Sequence, residues 1–451
     1  MIKVKSRFIT ICLFLFMVTS AMVAQKQDVS TIEKWAQGVK AKSNGKTINL
    51  LFASHPSTEA IQKMTDEFTK LTGIKTNWKI ITDGTIKNVE LLESTSKSGK
   101  FDVYMVDGFS IADFYNKKFI IDLSPYLQDP YLTPSWFDYE DILAGYREGI
   151  SMVGKNPVTI PIAGESRFIA YRTDLFKKYD KKPPTTMDEF LELAKFFNGK
   201  EPGIYGVAMR AASGRMCGTA WMSIAYSFTD DPIVDHITLK PSFNTPGALA
   251  SVKFYVDLMR QGPPDISTYT HEEAAAAFMQ GKVAMWLDAT ALVSWMQDKN
   301  KCLVWDKIGY APPPDGPAGS AAAIAGWGMG IPSDAKNKEE AWDFIVYMCS
   351  RAKMKEYILN GGVATRASAY LDKELAARNP SYPAELATLD KAAKLSARGV
   401  KYISPTPYIL DLMGICGTYI NKAIIGDITP EQACIQGQKE LEDFLRDKGA
   451  L

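Results

Sequence analysis

The chain has 451 residues, of which 46% are hydrophobic, so it can bury a large core and is long enough for two lobes. Its 52 basic and 51 acidic residues give a formal net charge of +1. This balance indicates a globular protein and argues against a nucleic-acid partner.

The N-terminus has the three parts of a secretory signal peptide over residues 1–24. A basic start is followed by an apolar run over 8–18 and by small residues, with cleavage expected after Ala21 or Ala24. Cys12 lies inside the apolar run rather than at the cleavage point, which predicts a free protein without a lipid anchor. Removing residues 1–24 leaves 49 Lys and Arg against 51 Asp and Glu. We therefore expect a periplasmic protein of nearly neutral charge.

The mature chain opens with an α/β pattern. Ile48–Ala53 is an apolar strand, the apolar residues from Ile61 to Leu71 recur at helical spacing, and Lys75–Ile81 is a second strand. Ligands in such sheets lie beyond the carboxyl ends of strands, so His55 is a candidate site residue. A solvated histidine or a neighbour of a helix cap is the alternative.

Two further strands end in charged residues. The strand at 101–106 is followed by Asp107, which could face a ligand or form a turn before the next helix. The strand at 158–162 leads to Glu165 and Arg167. These two side chains could lie in a cleft or form a local surface ion pair worth under about 1 kcal/mol.

The middle of the chain predicts an amphipathic helix at 186–197, a strand at 205–209 and a loop of small residues at 210–217. Small residues let a ligand approach the backbone, so Arg215 in the loop and Trp221 in the next helix are candidates.

The segment 272–294 combines a helix, a break at Gly281 and a buried strand that ends in Asp288. Trp286 lies two residues before Asp288, so both side chains point to the same side of the strand. An aromatic ring beside a carboxylate suits the C–H face and the hydroxyls of a sugar or polyol. The alternative is that Trp286 is only a large buried residue.

The last third predicts a glycine-rich strand at 325–331 carrying Trp327, a long helix at 338–357 and a helical remainder. Arg366 follows a glycine pair, and its planar fork could donate to two hydroxyls. The cysteines after the signal peptide have no pairing pattern and are interpreted as small buried hydrophobes: Cys217, Cys302, Cys349, Cys416 and Cys434.

Three segments together resemble a known family: YRTDLF at 171–176, GKVAMW at 281–286 and AGWGMGIPSDAKNKEEAWDFIVYM at 325–348. They are similar to consecutive landmarks of the extracellular solute-binding proteins of ABC transporters, above all the maltose-binding-like family that serves sugars. The resemblance implies an α/β, two-lobe periplasmic-binding-protein fold of type II, in which each lobe is a sheet flanked by helices. It implies three hinge crossovers, with lobe 1 formed by 25–161 and 310–363 and lobe 2 by 162–309 and 364–451.

The resemblance also implies the function. We expect a monomeric, non-enzymatic binding protein that closes on a small carbohydrate or polyol and docks on the permease subunits of an ABC transporter, with no cofactor and no metal. The candidate ligand-binding residues are His55, Asp107, Glu165, Arg167, Arg215, Trp221, Trp286, Asp288, Trp327 and Arg366.

Two alternatives remain open at the level of the sequence. An exported glycoside hydrolase needs only two carboxylates roughly 5 to 10 Å apart, and Glu165 with Asp288 could supply them. A binder of an unrelated solute, such as a polyamine, a metal complex or a phosphodiester, could use the same fold.

Overall fold

The structure is a computed structural model that describes residues 29–404 and 406–451. The predicted signal peptide and Cys12 lie outside the described residues. Within the described part of the chain, no helix combines the length and the apolarity needed to cross a bilayer.

The strands, in chain order, are β1 (Thr47–Ala53), β2 (Lys75–Ile81), β3 (Val103–Asp107), β4 (Met152–Val153), β5 (Asn156–Pro157), β6 (Ile160–Glu165), β7 (Arg167–Arg172), β8 (Tyr205–Ala208), β9 (Val283–Ala289), β10 (Ile308–Ala311) and β11 (Ala325–Gly330). The α-helices are α1 (Ile32–Ser43), α2 (Pro56–Thr72), α3 (Asp83–Ser96), α4 (Ile111–Asn116), α5 (Ser124–Gln128), α6 (Ala144–Ile150), α7 (Thr173–Lys178), α8 (Met187–Phe197), α9 (Arg215–Ala225), α10 (Pro246–Met259), α11 (His271–Met279), α12 (Val293–Gln297), α13 (Lys338–Cys349), α14 (Arg351–Leu359), α15 (Ala367–Leu371), α16 (Lys373–Arg378), α17 (Tyr382–Ala397), α18 (Ile409–Ile425) and α19 (Pro430–Asp447). Single turns of 3-10 helix occur at Ser135–Phe137, Tyr139–Asp141, Ile266–Thr268, Thr290–Leu292 and Trp305–Lys307.

Two separate sheets confirm the predicted two-lobe α/β fold. The first sheet has the strand order β2-β1-β3-β11-β6, with β1 parallel to both neighbours and β11 antiparallel to β3 and β6. The second has the order β10-β7-β9-β8, in which only β8 and β9 pair in parallel. Each sheet packs against its own helices and has its own hydrophobic core.

The predicted helix, glycine and strand at 272–294 are confirmed. Thr270 and Glu273 form a capping box at the start of α11. Gly281 adopts the left-handed conformation with φ +75°, and its N–H donates to the Phe278 carbonyl at 2.8 Å. This closes the helix end and turns the chain into β9, all of whose residues are buried.

The long helix predicted at 338–357 is two helices, α13 and α14. Ser350 between them has the extended values φ −66° and ψ 153°, and its side chain accepts from the Lys353 N–H. A serine with these angles is an N-cap, so it ends one apolar helix and starts the next. The apolar spacing alone could not reveal this break.

The strands of the two sheets locate the crossings between the lobes. The first is Ser166, because β6 ends at Glu165 in one sheet and β7 begins at Arg167 in the other. The second spans 312–324, between β10 and β11. We also propose to assign 364–382 to the first lobe, because its core contains Ala364, Ala369, Tyr370, Leu375 and Tyr382.

The cysteines in the described residues are free and buried, as predicted: Cys217, Cys302, Cys349, Cys416 and Cys434. Burial raises the pKa of the Cys349 thiol to about 12, so it behaves as an apolar side chain at neutral pH.

Candidate ligand-binding site

One edge of the first sheet carries four of the predicted site residues. β1, β3 and β6 run in the same direction, so their carboxyl ends share that edge with the start of the antiparallel strand β11. His55 follows β1, Asp107 ends β3, Glu165 ends β6 and Trp327 lies in the first half of β11. Such an edge is where α/β sheets bind ligands.

The facing edge of the second sheet carries three charged residues. Arg167 begins β7, Asp288 lies near the end of β9, and Arg210 follows β8 by two residues. Ser166 alone separates Glu165 of the first sheet from Arg167 of the second. The two edges are therefore held opposite each other by the crossing strand.

His55 and Glu165 form a pair on the first edge. His55 Nδ1 accepts from the Ser57 N–H at 3.1 Å, which assigns the ring proton to Nε2, and Nε2 lies 3.0 Å from Glu165 Oε1. His55 thus caps helix α2 and also orients a carboxylate that is 8% exposed. The indole of Trp327 lies beside the pair, with its centroid 6.3 Å from that of the His55 ring.

Trp327 reaches this position because Gly326 lets the backbone approach its neighbours. Gly326 has φ +142°, and a Cβ there would lie 1.9 Å from the Ala163 carbonyl oxygen. Its own carbonyl accepts from the Gly108 N–H at 2.9 Å. The close approach fixes the start of β11 between the strands that end in Asp107 and Glu165.

Asp288 is sealed between two guanidinium groups on the second edge. It is 0% exposed and accepts from Arg210 Nε and Nη2, both at 2.7 Å, while Arg167 Nη1 lies 3.2 Å from Oδ1. Burial alone would raise the pKa of Asp288, but Arg210 and Arg167 outweigh it and hold the pKa below its usual range. Asp288 therefore orients two cations toward the first lobe.

Two contacts cross directly between the lobes. Arg215 Nη2 at the start of α9 pairs with Asp107 Oδ2. The Phe109 ring packs within the core of the second lobe, 6.3 Å from the Tyr402 ring. Behind Asp107, burial and the nearby Asp107 carboxylate raise the pKa of Glu90 well above its usual value. The lobes are closed on each other in this structure.

Three predicted site residues, Trp286, Trp221 and Arg366, lie away from the charged residues at the two sheet edges. Trp286 is 0% exposed and packs toward Phe278, with ring centroids 6.5 Å apart. Trp221 is equally buried, and its Nε1 donates to Ser251 Oγ at 3.0 Å. Both indoles fill the core of the second lobe. For Trp286 this agrees with the alternative given above, that of a large buried residue.

Arg366 lies in the interior of the first lobe, where its guanidinium contacts backbone carbonyls. Its guanidinium is buried and donates to the carbonyls of Cys349, at 3.0 and 2.7 Å, and of Asp138. It also lies 5.2 Å from the centre of the Phe137 ring. Cys349 ends α13, so the cation satisfies a carbonyl at the negative end of a helix dipole.

The sequence prediction missed Arg210 and Tyr402. Arg210 follows a strand end, and the rule that singled out Asp107 would have found it. Tyr402 lies in an irregular segment before α18 and gives no local signal. Burial raises its pKa to about 12, and its hydroxyl has no hydrogen-bond partner among the described residues.

A cavity of about 260 Å³ is lined by residues of both lobes, among them Thr290, whose N–H donates to the Ser166 carbonyl at 2.9 Å. It is bounded by segments at 290–298, 358–364 and 378–385, and Glu385 faces it. The Tyr370 hydroxyl donates to Glu385 Oε2 at 3.2 Å, and burial raises the pKa of Glu385 to about 7. A carboxyl group of this kind takes up a proton when the protein folds below neutral pH.

We expect Glu385→Gln to stabilise the protein at pH 8 and to have little effect at pH 5. The folded pKa is about 7 and the ordinary value is 4.5, so between these pH values the folded chain holds a proton that the unfolded chain loses. Stability therefore falls as the pH rises through this window, by about 3 kcal/mol in total. Urea denaturation at both pH values measures the difference.

Glu148→Gln is the matched control, because Glu148 is an exposed glutamate in the first lobe. The same stability change at pH 5 and pH 8 for Glu385→Gln would contradict a raised pKa.

Comparisons with known proteins agree with the two-lobe arrangement. The model of the bacterial extracellular solute-binding proteins matches residues 53–355. The erythritol/L-threitol-binding protein of Mycolicibacterium smegmatis is 26% identical over 342 residues, covering 71% of this chain and 70% of that protein. The mannitol-binding protein of Pseudomonas aeruginosa is 26% identical over 400 residues, covering 83% and 87%.

A solved structure shares the whole fold. The ABC transporter solute-binding protein of Agrobacterium radiobacter K84, in complex with ribitol, superposes with a TM-score of 0.82 at 24% identity, covering 89% of this chain and 99% of that one. The family match alone covers well over half of the sequence. This chain therefore belongs to the family of bacterial extracellular solute-binding proteins.

Proposed function

We propose that this protein is the exported, non-enzymatic substrate-binding component of an ABC importer and that it captures a small polyol or sugar between its lobes. Residues 1–24 direct export to the periplasm and are removed there. The closed, loaded monomer then docks on the permease subunits in the membrane and releases the ligand unchanged.

The observation that carries the proposal is the meeting of two charged sheet edges beside an indole ring. The first lobe contributes Asp107 and Glu165 with Trp327, and the second contributes Arg167, Arg210 and Arg215. With the buried Asp288, the carboxylates balance the guanidinium groups. A neutral ligand with many hydroxyls suits such a site, because each hydroxyl can both donate and accept.

The named relatives favour a linear polyol over an oligosaccharide. One is named for the tetritols erythritol and L-threitol, and the other for the hexitol mannitol. Closure over such a ligand needs contacts from both lobes, so that the ligand binds the closed state more tightly than the open one. Glu165, whose carboxylate pairs with His55 Nε2, and the Tyr402 hydroxyl are the contacts we assign from either side.

A glycoside hydrolase needs two carboxylates, and the environment of the second one, Asp288, argues against this alternative. A general acid in such enzymes has a raised pKa, and the nucleophile or base must be open to the sugar or to water. Asp288 is fully buried between Arg210 and Arg167, which lower its pKa. It therefore supplies neither role.

A thermal-shift screen of the mature protein tests the proposal. We expect erythritol, L-threitol, ribitol and mannitol to raise the melting temperature, because a ligand at about 100 times its Kd stabilises the folded state by about 2.7 kcal/mol. Spermidine and glycerophosphocholine represent the polyamine and phosphodiester alternatives. Stabilisation by one of these two, with none by any polyol or sugar, would contradict the proposal.

A further inference from the structure

The ion pair between Asp107 and Arg215 lies at the side of the site away from the crossing strand. Arg215 belongs to the second lobe and Asp107 to the first, so the pair bridges the gap between them. Asp107 is held in place because its Oδ1 accepts from the Phe109 N–H at 3.0 Å. The neighbouring contact of Phe109 with Tyr402 also joins the lobes.

The opposite side of the site is the crossing itself. Glu165 ends the last strand of the first sheet, one residue before the chain enters the second lobe. The backbone of the crossing strand bounds the site on this side. The ligand chamber therefore has the Glu165 and His55 pair at one end.

The distance between the two ends follows from the strand order. β6, β11 and β3 are consecutive neighbours in the first sheet, so Glu165 and Asp107 lie on strands that are two spacings apart. Two spacings are about 10 Å across the sheet. Trp327 lies on β11 between them and pairs with Asp107, whereas Glu165 pairs with Ala325, two residues earlier on β11. With this offset the two Cα atoms are about 12 Å apart, and the side chains at both ends take up part of that span. The remaining length suits one extended tetritol to hexitol and is too short for a disaccharide.

We propose that the Asp107–Arg215 pair is the end wall of the ligand chamber and limits the ligand to a single short acyclic polyol. This inference rests on the proposed function and assigns its size selectivity to two residues. A longer ligand could enter only by separating the pair, which would remove the Arg215 guanidinium from the buried Asp107 carboxylate. Arg215 is thus a specificity-determining residue rather than a donor to the ligand.

Calorimetric titration of Arg215→Ala with mannitol and with maltitol tests whether the Asp107–Arg215 pair limits the length of the ligand. Maltitol is a hexitol that carries one glucosyl unit, so it is longer than the chamber. We expect wild-type protein to bind maltitol at least 100-fold more weakly than mannitol. In Arg215→Ala we expect maltitol affinity to rise at least tenfold and mannitol affinity to fall by less than tenfold. Arg446→Ala, at an exposed site on α19, is the matched control and should leave both affinities unchanged.

Asp107→Asn breaks the same ion pair while keeping the side-chain volume, and it serves if Arg215→Ala does not fold. We expect a smaller gain in maltitol affinity in the same direction. If the ratio of the two affinities is the same in both variants as in wild-type protein, the wall is refuted, and an equal loss for both ligands identifies Arg215 as a ligand donor. Wild-type protein that binds no polyol at all refutes the proposed function and the wall with it.

Discussion

Replacing Asp288 with alanine should lower the free energy of unfolding by about 3 to 5 kcal/mol, the largest single effect that we expect on stability. The carboxylate is fully buried and neutralises Arg210 and Arg167, which are 8% and 5% exposed. Without it, two guanidinium groups remain close together in a region that water does not reach. The loss is the cost of removing the carboxylate that compensates these two buried charges.

Urea denaturation followed by far-UV circular dichroism measures this loss. Because Arg210 and Arg167 hold the pKa of Asp288 below the ordinary value of 3.8, its stabilising effect is fully present above that pH. The difference between variant and wild type should therefore shrink only as the pH falls through the lowered pKa. Asp306→Ala removes an exposed carboxylate from the second lobe and is the matched control. Equal effects of the two substitutions at pH 7 would contradict the buried triad.

Replacing Glu165 with glutamine should weaken polyol binding by roughly 10- to 100-fold, the largest effect that we expect on affinity. A hydrogen bond to a charged group contributes about 1.5–3 kcal/mol, and the substitution turns a carboxylate acceptor into a neutral amide of the same size. Glu165 is oriented by His55 Nε2 at 3.0 Å, so it presents its carboxylate in a fixed direction. The substitution lies at the crossing that both lobes share.

Calorimetric titration with mannitol compares Glu165→Gln with Glu148→Gln, which makes the same chemical change at an exposed site of the first lobe. The control should bind as wild-type protein does. Thermal unfolding of the ligand-free variants separates a loss of affinity from a loss of structure. An unchanged Kd for Glu165→Gln would remove the carboxylate from the proposed ligand contacts.

The sequence was sufficient for much of the fold because its local signals agree with each other. Gly281 lies where a helix must end, and the residues on either side have helical and strand spacing, so that α11 and β9 could be predicted. The rule that ligands lie at the carboxyl ends of strands brought His55, Asp107 and Glu165 to one edge. These predictions depend only on residues that are close in the chain.

The sequence could not place side chains whose environment is set by distant residues. Strand spacing places Trp286 and Asp288 on one face, but it cannot tell whether that face meets a cleft or a core. Arg366 looked available to a ligand because its acceptors, the carbonyls of Asp138 and Cys349, are far away in the sequence. The assignment of 364–382 that we propose depends on the same kind of contact, since residues of this segment pack in the core of the first lobe.

The central claim is that the two lobes close on a small polyol and release it chemically unchanged. Calorimetric titration of the mature protein with mannitol and erythritol, followed by chromatography of the ligand recovered after denaturing the protein, tests it most directly. We predict saturable binding of one polyol molecule per chain and full recovery of the added compound. The absence of binding for every polyol, or recovery of a converted product, would contradict the claim.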